Sequence, residues 1–253
     1  MGDYQRFSEM LLKSRYAVAL TGAGMSVESG IPDFRSKDGL WSRYNPAEYA
    51  YIDAFQLNPG KVWKMLVEMD ALFTGARPNA AHLALGELEK LGIIRWVVTQ
   101  NIDSLHQRAG SMNVVEFHGH FRSLHCSECS KLYGRGEISL DEVPPLCSCG
   151  GVLRPDIVFF GEGIPHDAYS RAVEEAEKCD LMLVVGTSAS VAPASHLPRI
   201  AKRRGARLLE INPISSELSG SLTDLHIMEP AGMALSNVLT IIRQMQKPVE
   251  EWN

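Results

Sequence analysis

No run of the sequence stays apolar for the roughly 20 residues that a membrane-spanning helix needs, and the first ten residues carry acidic side chains where a signal peptide has an apolar stretch. Neither a membrane protein nor a secreted one is expected, so the location implied is intracellular and cytoplasmic. Positive charge is also short: 25 Lys and Arg stand against 30 Asp and Glu, a formal net charge of −5. Binding to a phosphate backbone needs a clustered cationic surplus, so no direct nucleic-acid contact is expected. Lys202-Arg203-Arg204 is too short to change this and reads as the last turn of a solvated helix, where the dipole favours cations. Internal repeats and low-complexity segments are lacking. Cysteine is scarce, five in 253 residues, yet four of the five lie between Cys126 and Cys149. In a reducing compartment such crowding reads as a metal site before it reads as disulfides.

What is present is the composition of a folded protein, with 45% hydrophobic and 22% charged residues. The length fits one large α/β domain with a small inserted module better than two equal domains. Short apolar runs predict strands over 16–20, 93–98, 114–117, 181–185, 206–211 and 225–228. Apolar residues at three- and four-residue spacing predict helices over 4–14, 80–91, 166–178, 194–203 and 233–246. Alternation of the two kinds implies a doubly wound, Rossmann-like parallel sheet. The pattern breaks twice. From about Gly22 to Pro59 the chain is too long and too rich in Gly, Pro and aromatics for a plain connection, and reads as an active-site loop followed by a helical lobe. Over 121–154 it turns to Cys, Gly, Pro and Ser with no useful periodicity, and reads as an inserted zinc module. The large part is then expected over about 1–35, 78–120 and 155–248, and a small lobe over about 36–77 and 121–154. The tail after Pro248 is expected to be loose.

In open α/β sheets ligands sit beyond the carboxyl ends of the strands, and the polar signals fall there. Gly22-Ala23-Gly24 follows the first predicted strand, Gln100-Asn101-Ile102-Asp103 the second, His118-Gly119 the third, Gly186-Thr187-Ser188 the fourth and Asn212-Pro213 the fifth. Glycines let backbone N–H groups approach a pyrophosphate, although a tight turn without a ligand uses the same residues. The third glycine and the acidic residue of the dehydrogenase fingerprint are missing, which disfavours hydride transfer. The segment from Met25 through Asp33, Phe34 and Arg35 reads as a flap over a ligand. Gln100, Asn101 and Asp103 offer amide and carboxylate groups to a ribose or carboxamide; helix capping explains one of them, not all three. His118 is a candidate general base, set against the satisfied core histidine that such a position more often holds. His120 and His125 read as structural or surface residues.

Cys126-x-x-Cys129, seventeen intervening residues and Cys147-x-Cys149 supply two ligand pairs on turns. Gly150 and Gly151 give the tighter second pair its freedom. Four thiolates fill a zinc shell, so the metal is expected to hold the module together and to take no part in the chemistry. Cys179 stands alone and reads as a small buried hydrophobe.

Taken together, Gly22-Ala23-Gly24-Met25-Ser26 through Gly30-Ile31-Pro32-Asp33-Phe34-Arg35, Gln100-Asn101-Ile102-Asp103, His118-Gly119, the paired cysteines, Arg154-Pro155-Asp156 through Phe160-Gly161-Glu162, Gly186-Thr187-Ser188 and Ile211-Asn212 resemble the sirtuin family in order, from about Tyr16 to Ala231. The resemblance implies an NAD-dependent protein lysine deacetylase that consumes NAD, moves the acetyl group to ADP-ribose and releases nicotinamide. It places Gly22, Ala23, Gly24, Ser26, Asp33, Phe34 and Arg35 in the cofactor loop. Gly186, Thr187, Ser188 and Asn212 hold the adenosine half, with Ala231 at the adenine. Gln100, Asn101, Ile102 and Asp103 surround the nicotinamide and its ribose, and His118 is the base. Phe34, His118, Val158, Phe160 and Val191 line a tunnel for the acetylated lysine, and the backbone near Gly161-Glu162 and 188–190 pairs with the substrate peptide as an added strand.

One departure bears on the acyl group. Family members that prefer succinyl or malonyl lysine carry a Tyr and, three residues later, an Arg after a Val-Trp pair; here Val62-Trp63 is followed by Leu66 and Met69 at those places. Acetyl and longer apolar acyl groups are therefore expected over succinyl. Two other readings remain in view: mono-ADP-ribosyl transfer, which shares the NAD-cleaving step, and a non-catalytic NAD or ADP-ribose sensor, which would be expected to lack His118 or Asn101.

Overall fold

Every residue of the strand Ala17–Thr21 is buried, so it has no side to turn to water. Only a sheet covered on both faces accommodates such a strand. The computed structural model of the protein describes residues 2–246; the predicted loose tail after Pro248 lies outside the described residues. In chain order the elements are α1 (Gly2–Lys13), β1 (Ala17–Thr21), α2 (Pro46–Tyr49), α3 (Ile52–Leu57), α4 (Pro59–Gly75), α5 (Ala80–Lys90), β2 (Ile94–Thr99), α6 (Leu105–Arg108), β3 (Val114–Glu116), β4 (Gly119–Cys126), β5 (Leu132–Gly134), β6 (Leu153–Ile157), α7 (His166–Lys178), β7 (Leu181–Val185), α8 (Leu197–Arg203), β8 (Arg207–Ile211), β9 (Leu225–Ile227) and α9 (Ala231–Gln246).

Six strands form a parallel sheet in the order β3-β2-β1-β7-β8-β9. Successive residues send side chains to opposite faces. Ala17 and Ala19 of β1 join Leu181, Leu183 and Val185 of β7 in the core beneath α1, α5 and α9. Val18, Leu20, Met182 and Val184 enter the opposite core beneath α7 and α8. The doubly wound sheet implied by the alternating pattern is thus realised. The predicted helix over 194–203 is in fact a 3₁₀ turn, Ala194–His196, followed by α8. Pro198 explains the break. Its missing N–H is harmless in a first turn and costly further in.

A third core belongs to a small lobe, where Trp63, Leu66 and Phe55 pack with Phe121, Leu124 and Leu153. Asn58 begins α4 by accepting from the Lys61 N–H at 3.0 Å, with Pro59 at the first helical position. The stretch over 121–154, which showed no strand periodicity, nevertheless contributes to an antiparallel sheet of order β5-β4-β6, extending from Gly119 to Ile157. β5 has only three residues, and the β4–β6 pairing shifts register between Gly119 and Leu124, so alternation never accumulates. Trp63, fully buried, donates from Nε1 to the Leu153 carbonyl at 2.9 Å and ties α4 to this sheet.

His82 on α5 is 0% exposed, and burial pushes its pKa from 6.5 down to about 4. The unfolded chain then binds the proton more tightly than the folded one. The stability associated with this neutral imidazole is complete above pH 6.5 and is lost as pH falls toward 4, with about 2 kcal/mol gone by pH 5. Urea-unfolding midpoints at pH 7 and pH 5 measure this loss in the wild type, and His82→Gln is expected to shrink the difference. Equal midpoints in the wild type would contradict the assignment.

Candidate active site

The sheet order turns between β1 and β7, the place where a doubly wound sheet opens a crevice. All five predicted strand ends meet there. Gly22, Ala23 and Gly24, Gln100 through Asp103, His118, Gly186 through Ser188 and Asn212 line one cavity of about 440 Å³, within the range of small-molecule sites. Ser26, Asp33, Phe34 and Arg35 share its wall, as do Val158, Phe160, Gly161, Glu162 and Val191. Ala231 is the exception. It heads α9 inside the core, outside the cavity wall, and the Gly232 N–H donates to the Glu28 carboxylate at 2.6 Å, an acid at the positive end of the helix.

The glycines have a purpose the sequence did not reveal. A Cβ on Gly24 would lie 2.8 Å from the Gly186 Cα, and one on Gly186 would lie 2.4 Å from the Met25 nitrogen. The Gly24 N–H donates to the Gly186 carbonyl at 2.8 Å. These residues are required first by backbone contact between the turns after β1 and β7; room for a phosphate follows from it.

Three polar side chains converge on the cavity floor. Asn101 Nδ2 donates to Ser26 Oγ and to the Gly22 carbonyl, both at 3.1 Å, which leaves the Asn101 amide oxygen without either tether. Ser26 Oγ donates to Asp103 Oδ2 at 2.7 Å, and Asp103 Oδ1 accepts from the Leu105 N–H at 2.9 Å at the head of α6. Neither Asn101 nor Asp103 is the N-cap of α6, which is Ser104; Asp103 instead serves the first turn from one residue earlier, through the Leu105 N–H. Burial raises its pKa above the usual carboxylate value, and the Ser26 and Leu105 hydrogen bonds oppose that rise. Gln100 Nε2 donates to Thr187 Oγ1 at 2.9 Å, and Asn212 Nδ2 donates to the Thr187 carbonyl at 3.1 Å.

His118 Nδ1 lies 3.0 Å from the Gln100 carbonyl. A carbonyl only accepts, so Nδ1 carries the proton and Nε2 keeps its lone pair. Burial lowers the His118 pKa, and the Gln100 hydrogen bond opposes the change. The imidazole is therefore neutral at pH 7. Gly119 fixes its backbone: at φ +76° a Cβ there would sit 2.0 Å from the Asp156 carbonyl oxygen.

Above the floor, Asp33 Oδ1 accepts from the Arg35 and Ser36 N–H groups and shapes the loop into a turn. Arg35 Nη1 reaches across to Ser188 Oγ at 2.7 Å and Ser190 Oγ at 2.5 Å. Phe34 stacks on Trp41 with ring centres 5.1 Å apart. The apolar wall on the far side is one face of α4, including Met65, Leu66, Met69, Leu72 and Phe73. Sequence reasoning singled out only Leu66 and Met69; the three- and four-residue spacing over 62–73 was the signal for the rest.

Cys126, Cys129, Cys147 and Cys149 bring their sulfurs within 4.8 Å of one another. Separations of 3.5 Å (126 to 149), 3.7 Å (129 to 147) and 3.5 Å (129 to 149) are far longer than a disulfide bond. A tetrahedron with zinc–sulfur bonds of about 2.3 Å has edges of about 3.8 Å, so the donor set fits a structural zinc ion. The four cysteines would hold it in a closed shell with no position for substrate. Gly151 is required beside the cluster, since a Cβ there would meet Cys126 Sγ at 2.6 Å. Cys179 is buried apart from them, and burial pushes its thiol up to about 12.

Fold and site together define a Rossmann-like protein with a ligand cleft at its switch point and a thiolate metal module beside it. The Sir2 family model matches residues 22–193. The chain is 45% identical over 238 residues to NAD-dependent protein deacylase 2 of Pyrobaculum aerophilum, covering 94% of this chain and 95% of that protein. It is 44% identical over 245 residues to NAD-dependent protein deacylase 1 of Archaeoglobus fulgidus, covering 95% and 98%. A solved Sir2 homolog–NAD complex superposes with TM-score 0.88 at 43% identity, covering 95% of this chain and 94% of that one. A Sir2 complex with p53 peptide and NAD+ does so with TM-score 0.86 at 37% identity, covering 93% and 96%. This chain belongs to the Sir2 family.

Metal analysis of the purified protein is expected to find one zinc per chain. Cys126→Ser should lose it, with amide hydrogen exchange rising across β4, β5 and β6 while β1 and β7 stay protected. Uniform loss of protection, or none, would contradict a module-local role.

Proposed function

We propose that this protein is an NAD-dependent protein lysine deacylase that moves the acetyl group of acetyl-lysine to ADP-ribose and releases nicotinamide. The observation that carries the reading is one cavity holding the Ser26–Asn101–Asp103 cluster, a neutral His118 with its Nε2 lone pair unspent, and an apolar wall. Bound NAD supplies the glycosidic bond to be broken and the ribose hydroxyls that receive the acyl group. Gly22, Ala23, Gly24, Gly186, Thr187, Ser188 and Asn212 hold its phosphate and adenosine parts, with Arg35 as the cation. Gln100, Asn101, Ile102 and Asp103 orient the nicotinamide ribose, and His118 Nε2 takes the proton from its hydroxyl. Phe34, Val158, Phe160 and Val191 exclude water along the acyl-lysine tunnel.

The substrate peptide adds as a strand. Phe160 already spends its N–H on the Ala50 carbonyl and its carbonyl on the Ile52 N–H, and the Glu162 N–H is bonded to the Phe159 carbonyl; the incoming backbone pairs beside these bonds, along Gly161-Glu162 and 188–190. Among the described residues Arg35 is the one permanent cation lining the cavity, and Leu66 and Met69 are buried at 0% and 7% exposure. A succinyl carboxylate would be buried unpaired, so apolar acyl groups are preferred. A water-excluding apolar tunnel favours deacylation over ADP-ribosyl transfer to protein, and the intact His118 and Asn101 favour an enzyme over a sensor. We assign it to the cytoplasm, where thiols stay reduced for zinc.

Incubation with NAD and an acetyl-lysine peptide should yield free lysine, nicotinamide and acetyl-ADP-ribose by mass. His118→Ala is expected to cut turnover by about 10²- to 10⁴-fold. Activity needs the neutral imidazole and therefore rises with pH through its pKa; the acid limb of kcat/KM should have its midpoint below pH 6.5. Deacetylation without NAD would overturn the reading. A succinyl peptide turned over as fast as the acetyl one, with no gain from the Leu66→Tyr, Met69→Arg pair, would overturn the acyl preference.

A further inference from the structure

Behind the cavity floor lies a second polar line that the reaction scheme does not use. His106 on α6 is 1% exposed and takes no part in the cavity wall. Its Nε2 lies 2.9 Å from Thr21 Oγ1, which lies 2.9 Å from Thr99 Oγ1, and Thr99 Oγ1 accepts from the Asn101 main-chain N–H at 3.1 Å. Thr21 and Thr99 are register partners at the carboxyl ends of β1 and β2. Both are buried, so each hydroxyl has only its neighbours in the chain to satisfy it.

The direction of the line can be deduced. Complete burial holds His106 neutral, so its ring has one donor and one acceptor. Nδ1 has no partner. An orphaned N–H inside a core costs more than a bare acceptor and is rarer, so the proton resides on Nε2. The imidazole then donates to Thr21, Thr21 donates to Thr99, and the Thr99 oxygen receives Asn101 from the other side. On the same residue, Asn101 Nδ2 is bound to Gly22 and Ser26. Main chain and side chain are thus held by separate partners.

We propose that His106 is a positioning residue: through the Thr21 and Thr99 hydroxyls it sets where Asn101 presents its amide oxygen to the ligand. This inference rests on the deacylase reading for its kinetic consequences and on geometry alone for its structural ones. His106 touches neither cofactor nor peptide, so its loss acts on the chemical step and leaves peptide binding as it was.

The test uses the full-length protein. His106→Leu keeps the volume and removes the donor. His106→Gln restores an N–H, and Thr21→Val breaks the line at its second link. His106→Leu and Thr21→Val are expected to lower kcat for nicotinamide release about 10- to 100-fold, as displacement of a positioned group does, with KM for the acetyl peptide unchanged. His106→Gln is expected to recover most of the loss. Adding Thr99→Val to His106→Leu should cost no more than the worse single change, because both sever one line. Independently of turnover, hydrogen exchange at the Asn101 amide should quicken in both broken variants. Wild-type kcat in His106→Leu or Thr21→Val, multiplying losses in the double variant, or an Asn101 amide as protected as in wild type would overturn the proposal. Thr21→Val decides the matter if His106→Leu does not fold. A wild type that releases no nicotinamide would defeat the deacylase reading instead, while the exchange measurement still judges this one.

Discussion

Backbone contact between the turns after β1 and β7 is the constraint on which the rest of the structure depends. Gly24 and Gly186 approach so closely that neither has room for a side chain, and the Gly24 N–H is bonded to the Gly186 carbonyl. Parallel neighbours end side by side, so their loops must either part or press together. Pressing them together here holds Ser26 over Asn101 on one side and Thr187 between Gln100 and Asn212 on the other. Site residues from four strand ends are thereby fixed by main-chain geometry, with little dependence on long flexible side chains.

Desolvation then determines the chemistry of each group. Burial alone would push Asp103 toward its neutral form, and it is opposed by Ser26 and the Leu105 amide. Burial keeps His118 unprotonated, while the Gln100 carbonyl selects which nitrogen holds the proton. One hydrogen bond therefore decides which ring nitrogen keeps its lone pair, and Gln100 matters through its main chain as well as its amide. The thiolate module acts at a distance. Its Cys126 lies on β4, which pairs with β6, and the Leu153–Trp63 hydrogen bond joins β6 to α4, whose inner face is the apolar wall of the cavity.

The strand ends, the four cysteines and His118 were legible because each has a short-range signature: an apolar run that stops at a polar cluster, paired thiols on turns, a histidine after a strand. The bulged sheet of β4, β5 and β6 was not, since β4 pairs with β6 across separations from Cys126–Leu153 to Gly119–Ile157 and its alternation is interrupted. Pro198 was visible, but its effect of splitting a helix into a 3₁₀ turn and α8 was read only from the backbone. The polar line from His106 to Asn101 was invisible, because nothing in the sequence pairs Thr21 with Thr99.

By itself the sequence determined the doubly wound class, the crevice residues, the pairing of the four clustered cysteines and the absence of a cation at Leu66 and Met69, because these follow from residue type and local periodicity. Tertiary structure alone decided that the glycines serve turn-to-turn contact, that Ala231 belongs to the core, that His118 carries its proton on Nδ1 and that α4 walls the cavity. The physical reason is the same in each case: close approach and desolvation are properties of pairs brought together by folding, and no single position along the chain encodes them.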